Sequence, residues 1–157
     1  MEKGITEGTS KTKFSPGKNC TRGQIVTFLW RFSEKPEPTS SNNPFVDVDA
    51  NAFYYTPVLW AVEKGITTGA SKTTFAPGKN CTRGQIVTFL WRFKNSPEPT
   101  STENPFVDVK ADGFYYKAVL WAVENEITSG TGKGKFSPNN TCTRGQVVTF
   151  LYRATEG

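Results

Sequence analysis

Three arginines stand near the start of three almost identical segments, and their side chains are the first candidates for chemistry. Each lies in the sequence Cys-Thr-Arg-Gly-Gln, which recurs every 61 residues. We call them the cap arginines: Arg22, Arg83 and Arg144. A guanidinium beside a helix N-terminus favours a carboxylate or a phosphate, because the helix dipole and N–H groups without intrahelical partners attract an anion. Alternatively, each arginine pairs with a carboxylate of the neighbouring repeat, and the glycine after it relieves helix packing.

The segments themselves predict a helix behind each cap arginine. The threonine before the arginine is typical of an N-cap, and the glutamine two residues after it completes a capping box. Apolar residues then follow at helical spacing, as in Ile86, Phe89 and Leu90. We therefore expect three capped helices, each placing its arginine at the first helical position.

A second type of helix precedes two of these segments. It should begin near Tyr55, because Pro57 is tolerated only in the first turn of a helix. Gly65 is expected to end it as a left-handed C-cap. The next copy has Glu126 at that position, so either Asn125 takes the left-handed conformation or the helix end is rebuilt there. The predicted class is mainly α, with helix–loop–helix repeats of 61 residues joined by irregular loops.

Pro-rich linkers separate the repeats, and the chain begins in the middle of one. The linkers cover 33–43 and 94–104, and their Pro-Glu-Pro sequences favour extended spacers across the surface. Three capped helices accompany only two Phe-Val-Asp-Val segments and two first helices. Met1–Gly4 match only the tail of a first helix. This pattern predicts a fragment of a longer protein or a natural permutation, with an apolar groove where a second copy or a partner chain would bind.

Composition argues against several classes of protein. The 157 residues carry a net charge of +5 spread along the chain, whereas a nucleic-acid surface would show a basic stripe. The sequence has no histidine, no paired carboxylates at a repeated position, no nucleophile motif and no phosphate loop. We therefore expect neither an enzyme nor a cofactor. No apolar run approaches the length of a membrane span, and Met1–Gly4 do not form a signal peptide.

Three cysteines recur at the same position of each repeat, and we call them the repeat cysteines: Cys20, Cys81 and Cys142. They are expected to act as small apolar residues rather than as a disulfide framework, and an odd number leaves at least one unpaired. If the repeats close about a threefold axis, the thiols could meet at a metal. The absence of CxxC spacing and of a fourth ligand argues against that site.

The order of these motifs resembles that of the S-layer homology (SLH) repeat. The sequence reads Phe-x-Asp-Val, aromatic-x-x-x-Val-x-Trp-Ala, Gly-Ile-x-x-Gly, Phe-x-Pro and then Thr-Arg at a helix start. The resemblance implies a pseudo-threefold bundle. It places the C-terminal half of repeat 1 at 1–32, repeat 2 at 44–93 and repeat 3 at 105–157. The chain departs from the family in having Gly-Gln where Ala-Glu is usual, and Cys where an aliphatic residue is common.

The resemblance also implies which residues contact a ligand. Besides the cap arginines they are the loop glycines Gly8, Gly69 and Gly130, the helix tryptophans Trp60 and Trp121, and the aspartates Asp47 and Asp108. The residues themselves leave other roles open. Each loop glycine permits a turn or a close backbone approach, each tryptophan can serve core packing, and each aspartate can accept hydrogen bonds in a local turn or cap.

Two functions follow as expectations. The resemblance implies a non-catalytic module that binds acidic, for example pyruvylated, secondary cell-wall polysaccharide in the grooves between repeats. It would hold a longer exported protein at the bacterial cell wall or S-layer, outside the cell. A pyruvyl ketal carries a carboxylate, which suits an arginine at a helix N-terminus. The alternative is a protein-interaction module that docks another chain or a second copy through the open apolar groove. Charge removal at Arg83 is expected to weaken glycan binding.

Overall fold

The computed structural model describes residues 4–156, and over these residues the chain forms five helices. Their bounds are Arg22–Phe32 (α1), Tyr55–Glu63 (α2), Arg83–Phe93 (α3), Tyr116–Glu124 (α4) and Arg144–Glu156 (α5). Irregular loops connect them, and isolated bridges are the β pairing present in 4–156. The predicted class of helix–loop–helix repeats is confirmed. The part of the N-terminal prediction that concerns Met1–Lys3 lies outside the described residues.

The capped helices α1, α3 and α5 begin with the predicted reciprocal hydrogen bonds. In α1 the Thr21 hydroxyl accepts from the Gln24 N–H, and the Gln24 side chain accepts from the Thr21 N–H. The same capping box begins α3 and α5. Each box satisfies one N–H of the first turn and the N–H of the cap residue itself, which fixes the start of the helix at the residue after the threonine.

The helix α2 begins at Tyr55, as Pro57 predicted, and α4 begins at the equivalent Tyr116, although Ala118 stands in place of the proline there. The two helices end differently from each other. Gly65 follows α2 with a φ of 68°, as expected of a left-handed C-cap. After α4 it is Glu126 that takes the left-handed conformation, with a φ of 56°. The Asn125 alternative is therefore wrong. Asn125 keeps a φ of −94° and donates its side-chain amide to the Trp121 carbonyl at 2.8 Å, which satisfies an orphan carbonyl at the helix end.

Each linker is held at two points rather than crossing the surface freely. In the first linker the Trp30 indole N–H donates to the Pro36 carbonyl at 2.8 Å. Further along, the backbone N–H of Thr39 donates to the Glu63 carboxylate at the end of α2. The second linker repeats these contacts through Trp91, Pro97, Thr100 and Glu124. The linkers therefore tie each capped helix to the helix that follows it.

A ring of three backbone hydrogen bonds closes the repeats on one another. The N–H of Cys81 donates to the Cys20 carbonyl at 2.8 Å, that of Cys142 to Cys81 at 3.0 Å, and that of Cys20 to Cys142 at 2.9 Å. Each repeat cysteine thus bonds the one before it, and the first bonds the last. This cyclic order relates the repeats by a pseudo-threefold axis, as the resemblance implied.

The core lies between this ring and the paired helices. The helix α1 packs against α2 and α3 against α4, while α1 and α5 each contact α3. The loop phenylalanines Phe75 and Phe136 are fully buried, beside Ile25, Leu29 and their repeat equivalents. Burying one such side chain contributes about 1.5–3 kcal/mol, so the same few positions stabilise every repeat.

Candidate ligand grooves between the repeats

The first turns of the capped helices are occupied by the neighbouring repeat. The Arg22 N–H donates to the Lys79 carbonyl and the Gly23 N–H to the Pro77 carbonyl, both at 2.9 Å. The equivalent N–H groups of α3 and α5 donate to carbonyls of the loops at 138–140 and 16–18. These N–H groups are therefore not available to an anion. Sequence reasoning placed them correctly in the helix but missed their partners in another repeat.

The cap arginines are buried and hydrogen-bonded to backbone. Their residues are 6, 5 and 3% exposed. The Arg22 Nε donates to the Phe75 carbonyl at 2.7 Å, and its guanidinium carbon lies 4.8 Å from the Phe75 ring centroid. The other two repeat this arrangement on Phe136 and Phe14. The partner is thus in the neighbouring repeat, as the pairing alternative expected, but it is a carbonyl and a phenyl ring, not a carboxylate.

Burial lowers the pKa of each cap arginine from its ordinary value. The Asp47 carboxylate acts in the opposite direction on Arg22, and Asp108 does the same on Arg83. A guanidinium keeps its proton in proteins, so these side chains remain cations. Each groove therefore contains a fixed positive charge on a side chain that packing holds in place.

A second arginine faces each cap arginine, and sequence reasoning did not single it out. We call this set the tail arginines, because each lies in the last turn of a capped helix: Arg31, Arg92 and Arg153. Arg92 lies close enough to Arg22 that its charge lowers the pKa of Arg22, and Arg31 does the same to Arg144. The signal in the sequence was their 61-residue spacing, but spacing alone does not say which groove a side chain faces.

Two clefts show these arginine pairs. The Arg22 groove has a volume of about 570 Å³ and lies between Arg22, the loop at 67–70 and one face of α3, including Gln85, Phe89 and Arg92. The exposed ring of Phe114 forms part of its wall. The Arg83 groove has a volume of about 370 Å³, and α5 with Gln146, Phe150 and Arg153 forms the equivalent side. Both volumes are in the range of small-molecule sites.

The junction between the third and first repeats places its cap arginine in the same way, and we call it the Arg144 groove. Arg144 donates to Phe14 and lies over the rings of Phe14 and Phe28. Its tail arginine differs from the others in having an acidic partner. Arg31 Nη2 lies 2.9 Å from a carboxylate oxygen of Glu7.

The loop glycines lie at the grooves, and their own geometry requires glycine. Gly69 has a φ of 93°, and a Cβ there would lie 2.5 Å from the Phe45 ring and from the Ser71 carbonyl oxygen. Gly69 and Gly130 line the Arg22 and Arg83 grooves with backbone. The turn and close approach that the sequence suggested are present, and they shape the loop whether or not a ligand contacts it.

The two aspartates hold the groove loops. The Asp47 carboxylate accepts from the backbone N–H groups of Phe75 and Ala76, each at 2.8 Å. Asp108 makes the same two bonds to Phe136 and Ser137. The peptide that Asp47 holds is the one whose carbonyl receives Arg22. The aspartates therefore position the cap arginines indirectly, in the role of local acceptors that the sequence left open.

The helix tryptophans lie in the core and line neither of the two arginine clefts. Each reaches the edge of another cleft, Trp121 together with Arg153 and Trp60 together with Phe93. Trp60 is 3% and Trp121 5% exposed, and both belong to the buried cluster. Trp60 packs with Phe93 at a centroid distance of 6.3 Å. The aromatic wall of the Arg22 groove is formed instead by Phe89 and Phe114.

The repeat cysteines are free thiols buried at the closed ring. Burial raises the pKa of Cys20 to about 12 and that of Cys142 to about 11, and it raises that of Cys81 further. The thiols therefore stay protonated at neutral pH and are poor nucleophiles. Within 4–156 no group of three or more His, Cys, Asp or Glu side chains is arranged to hold a metal ion.

Comparison with known proteins places this architecture in a family. The sequence model of the S-layer homology domain matches residues 2–26, 44–87 and 105–148. The three matched segments contain the cap arginines and cover most of the chain. The chain therefore belongs to the S-layer homology family.

Three relatives show where such segments occur. The chain is 30% identical over 161 residues to the surface-layer 125 kDa protein of Lysinibacillus sphaericus, covering 99% of this chain and 13% of that protein. It is 32% identical to an endoglucanase of Bacillus sp. (strain KSM-635), with 97% and 17% covered. It is 31% identical to the S-layer protein sap of Bacillus anthracis, with 73% and 14% covered.

The chain thus spans less than a fifth of the length of these relatives. One of the three is named as an endoglucanase and two are named as surface-layer proteins. Among the helices of 4–156, none is both long and apolar enough to cross a lipid bilayer.

Proposed function

We propose that the chain is a non-catalytic module that anchors a longer exported protein to a bacterial cell wall by binding an acidic secondary polysaccharide. The observation that carries the proposal is the pair of guanidinium groups in the Arg22 groove. Arg22 is fixed by Phe75, whereas Arg92 has no carboxylate partner among residues 4–156. A sugar carboxylate, such as a pyruvyl ketal, would complete this charge arrangement.

The shape of the Arg22 groove supports a sugar as the ligand. Its volume of about 570 Å³ accommodates one or two sugar rings, and hydroxyl and amide groups of Thr88, Gln85 and Asn80 stand beside the arginines. The exposed Phe114 ring, which is 62% exposed, offers an apolar face to one side of a sugar. The relatives named as surface-layer proteins favour a wall polymer over a free metabolite.

Because the cap arginines are buried, a tail arginine is a better choice than Arg83 for testing this proposal. Arg83→Ala would remove a buried hydrogen bond to Phe136 and its ring contacts, so a loss of binding would not distinguish ligand contact from unfolding. Arg92→Gln removes charge from a side chain that makes no such bond to any residue the structure describes. Lys110→Gln removes the same charge from an exposed residue outside the clefts and is the matched control.

The experiment measures co-sedimentation of the chain with purified cell-wall sacculi, with and without their secondary polymer. Binding that needs the polymer, persists in Lys110→Gln and falls about tenfold in Arg92→Gln is the expected result, since a charge-assisted contact is worth about 1.5–3 kcal/mol. Binding to no wall preparation, or equal binding by both variants, would overturn the proposal.

A protein-docking function is the second candidate, and α5 favours it. The helices α1 and α3 each pack against a following helix, whereas the main helix contact of α5 is α3. Tyr152 of α5 is 67% exposed, although its equivalents Trp30 and Trp91 are partly buried and hydrogen-bonded to linkers. Sedimentation equilibrium of the chain and of Tyr152→Ser tests self-association. A monomer at all concentrations in both would exclude docking of a second copy.

A further inference from the structure

One position of the groove loop differs in charge among the three repeats. It is Thr68 in the Arg22 groove, Ser129 in the Arg83 groove and Glu7 in the Arg144 groove. The flanking residues repeat, since a threonine precedes this position and a loop glycine follows it in all three copies. The carboxylate is therefore a local change on a common scaffold.

The Glu7 carboxylate contacts the tail arginine of its own groove, whereas the tail arginine of the Arg22 groove has no carboxylate partner within 4–156. Arg31 Nη2 is 2.9 Å from Glu7, and the Arg31 side chain is only 13% exposed. In the Arg22 groove the equivalent residue Arg92 and the hydroxyl-bearing Thr68 both line the cleft. In the Arg83 groove Arg153 donates to the Ile127 carbonyl at 3.2 Å, a neutral acceptor.

The other carboxylates near the grooves, Asp47 and Asp108, do not pair with a tail arginine within 4–156. Asp47 and Asp108 lie close enough to the cap arginines to affect their pKa values, but both accept from backbone N–H groups of the loops. Neither forms an ion pair with a tail arginine among the residues the structure describes. Glu7 is thus distinct in both its position and its partner.

We propose that Glu7 is an internal occupant of the Arg144 groove, holding Arg31 where the carboxylate of an acidic sugar would otherwise bind. The chain then has two grooves open to an acidic ligand, the Arg22 and Arg83 grooves, and one that its own side chain closes. Because Glu7 is tethered beside Arg31, an external carboxylate has to compete with it and binds Arg31 more weakly than it binds the tail arginines of the other grooves. This inference rests on the proposed function, because it uses the same grooves.

The test uses sodium pyruvate as the probe and NMR of the arginine Nε–Hε groups as the readout. In the wild-type chain, the resonances of Arg92 and Arg153 should shift at lower pyruvate concentrations than that of Arg31. In Glu7→Thr, which installs the residue of the Arg22 groove, Arg31 should shift at these lower concentrations as well. The reciprocal Thr68→Glu should move the shift of Arg92 to higher pyruvate concentrations and leave that of Arg153 unchanged. Glu7→Gln keeps the side-chain shape and should behave like Glu7→Thr.

Two results would overturn the proposal. One is a wild-type Arg31 that shifts at the same pyruvate concentration as Arg92, and the other is an Arg31 that stays unchanged in both Glu7 variants. Calorimetry with a pyruvylated monosaccharide then separates the two proposals. Two sites in the wild type and three in Glu7→Thr support both. No sugar binding combined with the expected pyruvate pattern would reject the wall-polymer function and keep the role of Glu7.

Discussion

The Arg22 and Arg144 grooves share a scaffold and differ in charge at one loop position, which is Thr68 in the first and Glu7 in the second. In each, the cap arginine donates to a phenylalanine carbonyl and lies over two phenyl rings. In the Arg22 groove the tail arginine is left without a carboxylate partner in 4–156, whereas in the Arg144 groove Glu7 neutralises it. The buried half of each groove thus repeats because it maintains the fold, while the exposed half differs in charge from one groove to another.

The largest expected effect is on the free energy of unfolding, and it distinguishes the buried half of a groove from the exposed half. Arg22→Ala removes a buried hydrogen bond and packing against Phe75, and it should lower the free energy of unfolding by about 3 kcal/mol. Arg92→Ala, in the same groove, should cost less than about 1 kcal/mol, because within 4–156 the Arg92 guanidinium makes no comparable bond. Urea denaturation measures both. Equal losses of unfolding free energy in the two variants would show that the division into a buried half that maintains the fold and an exposed half that does not is wrong.

The glycine after each cap arginine gives a second contrast. A Cβ on Gly23 would lie 2.9 Å from the Tyr54 ring, whereas on Gly145 the nearest atoms, of Pro16, are 3.3 Å away. Gly23→Ala should therefore cost about 2 kcal/mol by overpacking. Gly145→Ala should stay within about 1 kcal/mol of the wild type, since the gain in helix propensity offsets the tighter contact. Thermal melts of both variants check this, and a larger loss in Gly145→Ala would contradict it.

The thiols at the ring should make stability depend on alkaline pH. The pKa of Cys20 rises from 9.0 to about 12 on folding, so above pH 9 the unfolded chain loses a proton that the folded chain keeps. The stabilisation is complete below pH 9 and is lost as the pH rises towards 12, at up to about 1.4 kcal/mol per pH unit for each thiol.

The measurement is the free energy of unfolding from pH 8 to 10.5 for the wild type and for Cys20→Ala. The variant should show a shallower decline, because one of the buried thiols no longer ionises on unfolding. Identical slopes would mean that Cys20 already ionises in the folded chain. Slow alkylation of the native thiols, with all three reacting in denaturant, is the accompanying check.

The smallest expected effect concerns the pair that distinguishes the two grooves. Glu7 is 68% exposed, so Glu7→Gln should change the free energy of unfolding by only about 0.5 kcal/mol. The reciprocal Thr68→Glu should be equally mild, because Thr68 is exposed. Chemical denaturation at low and high salt measures both. A loss of several kcal/mol in Glu7→Gln would assign the ion pair to the stability of the fold rather than to occupancy of the groove.

Local hydrogen bonding explains why the helices were predictable. A capping box joins residues three apart, so Thr21 and Gln24 carry their signal within one turn of sequence. Pro57 likewise placed the start of α2. The left-handed Glu126 was not foreseen, because the helix end is fixed by bonds of Asn125 and the following loop, not by residue preference alone.

The grooves depend on contacts that sequence spacing does not reveal. Arg22 and its acceptor Phe75 are 53 residues apart, and Arg144 and Phe14 are 130 apart. Repetition showed that the tail arginines recur, but only the closed ring brings each to the cap arginine of another repeat. The sequence by itself determined the capped helices, the repeat and the family, since those rest on local chemistry. The tertiary structure decided that the cap arginines are buried and that the tail arginines face the clefts, because both require two repeats to meet. It also decided that Glu7 pairs with Arg31, because that contact needs the loop to fold back onto α1.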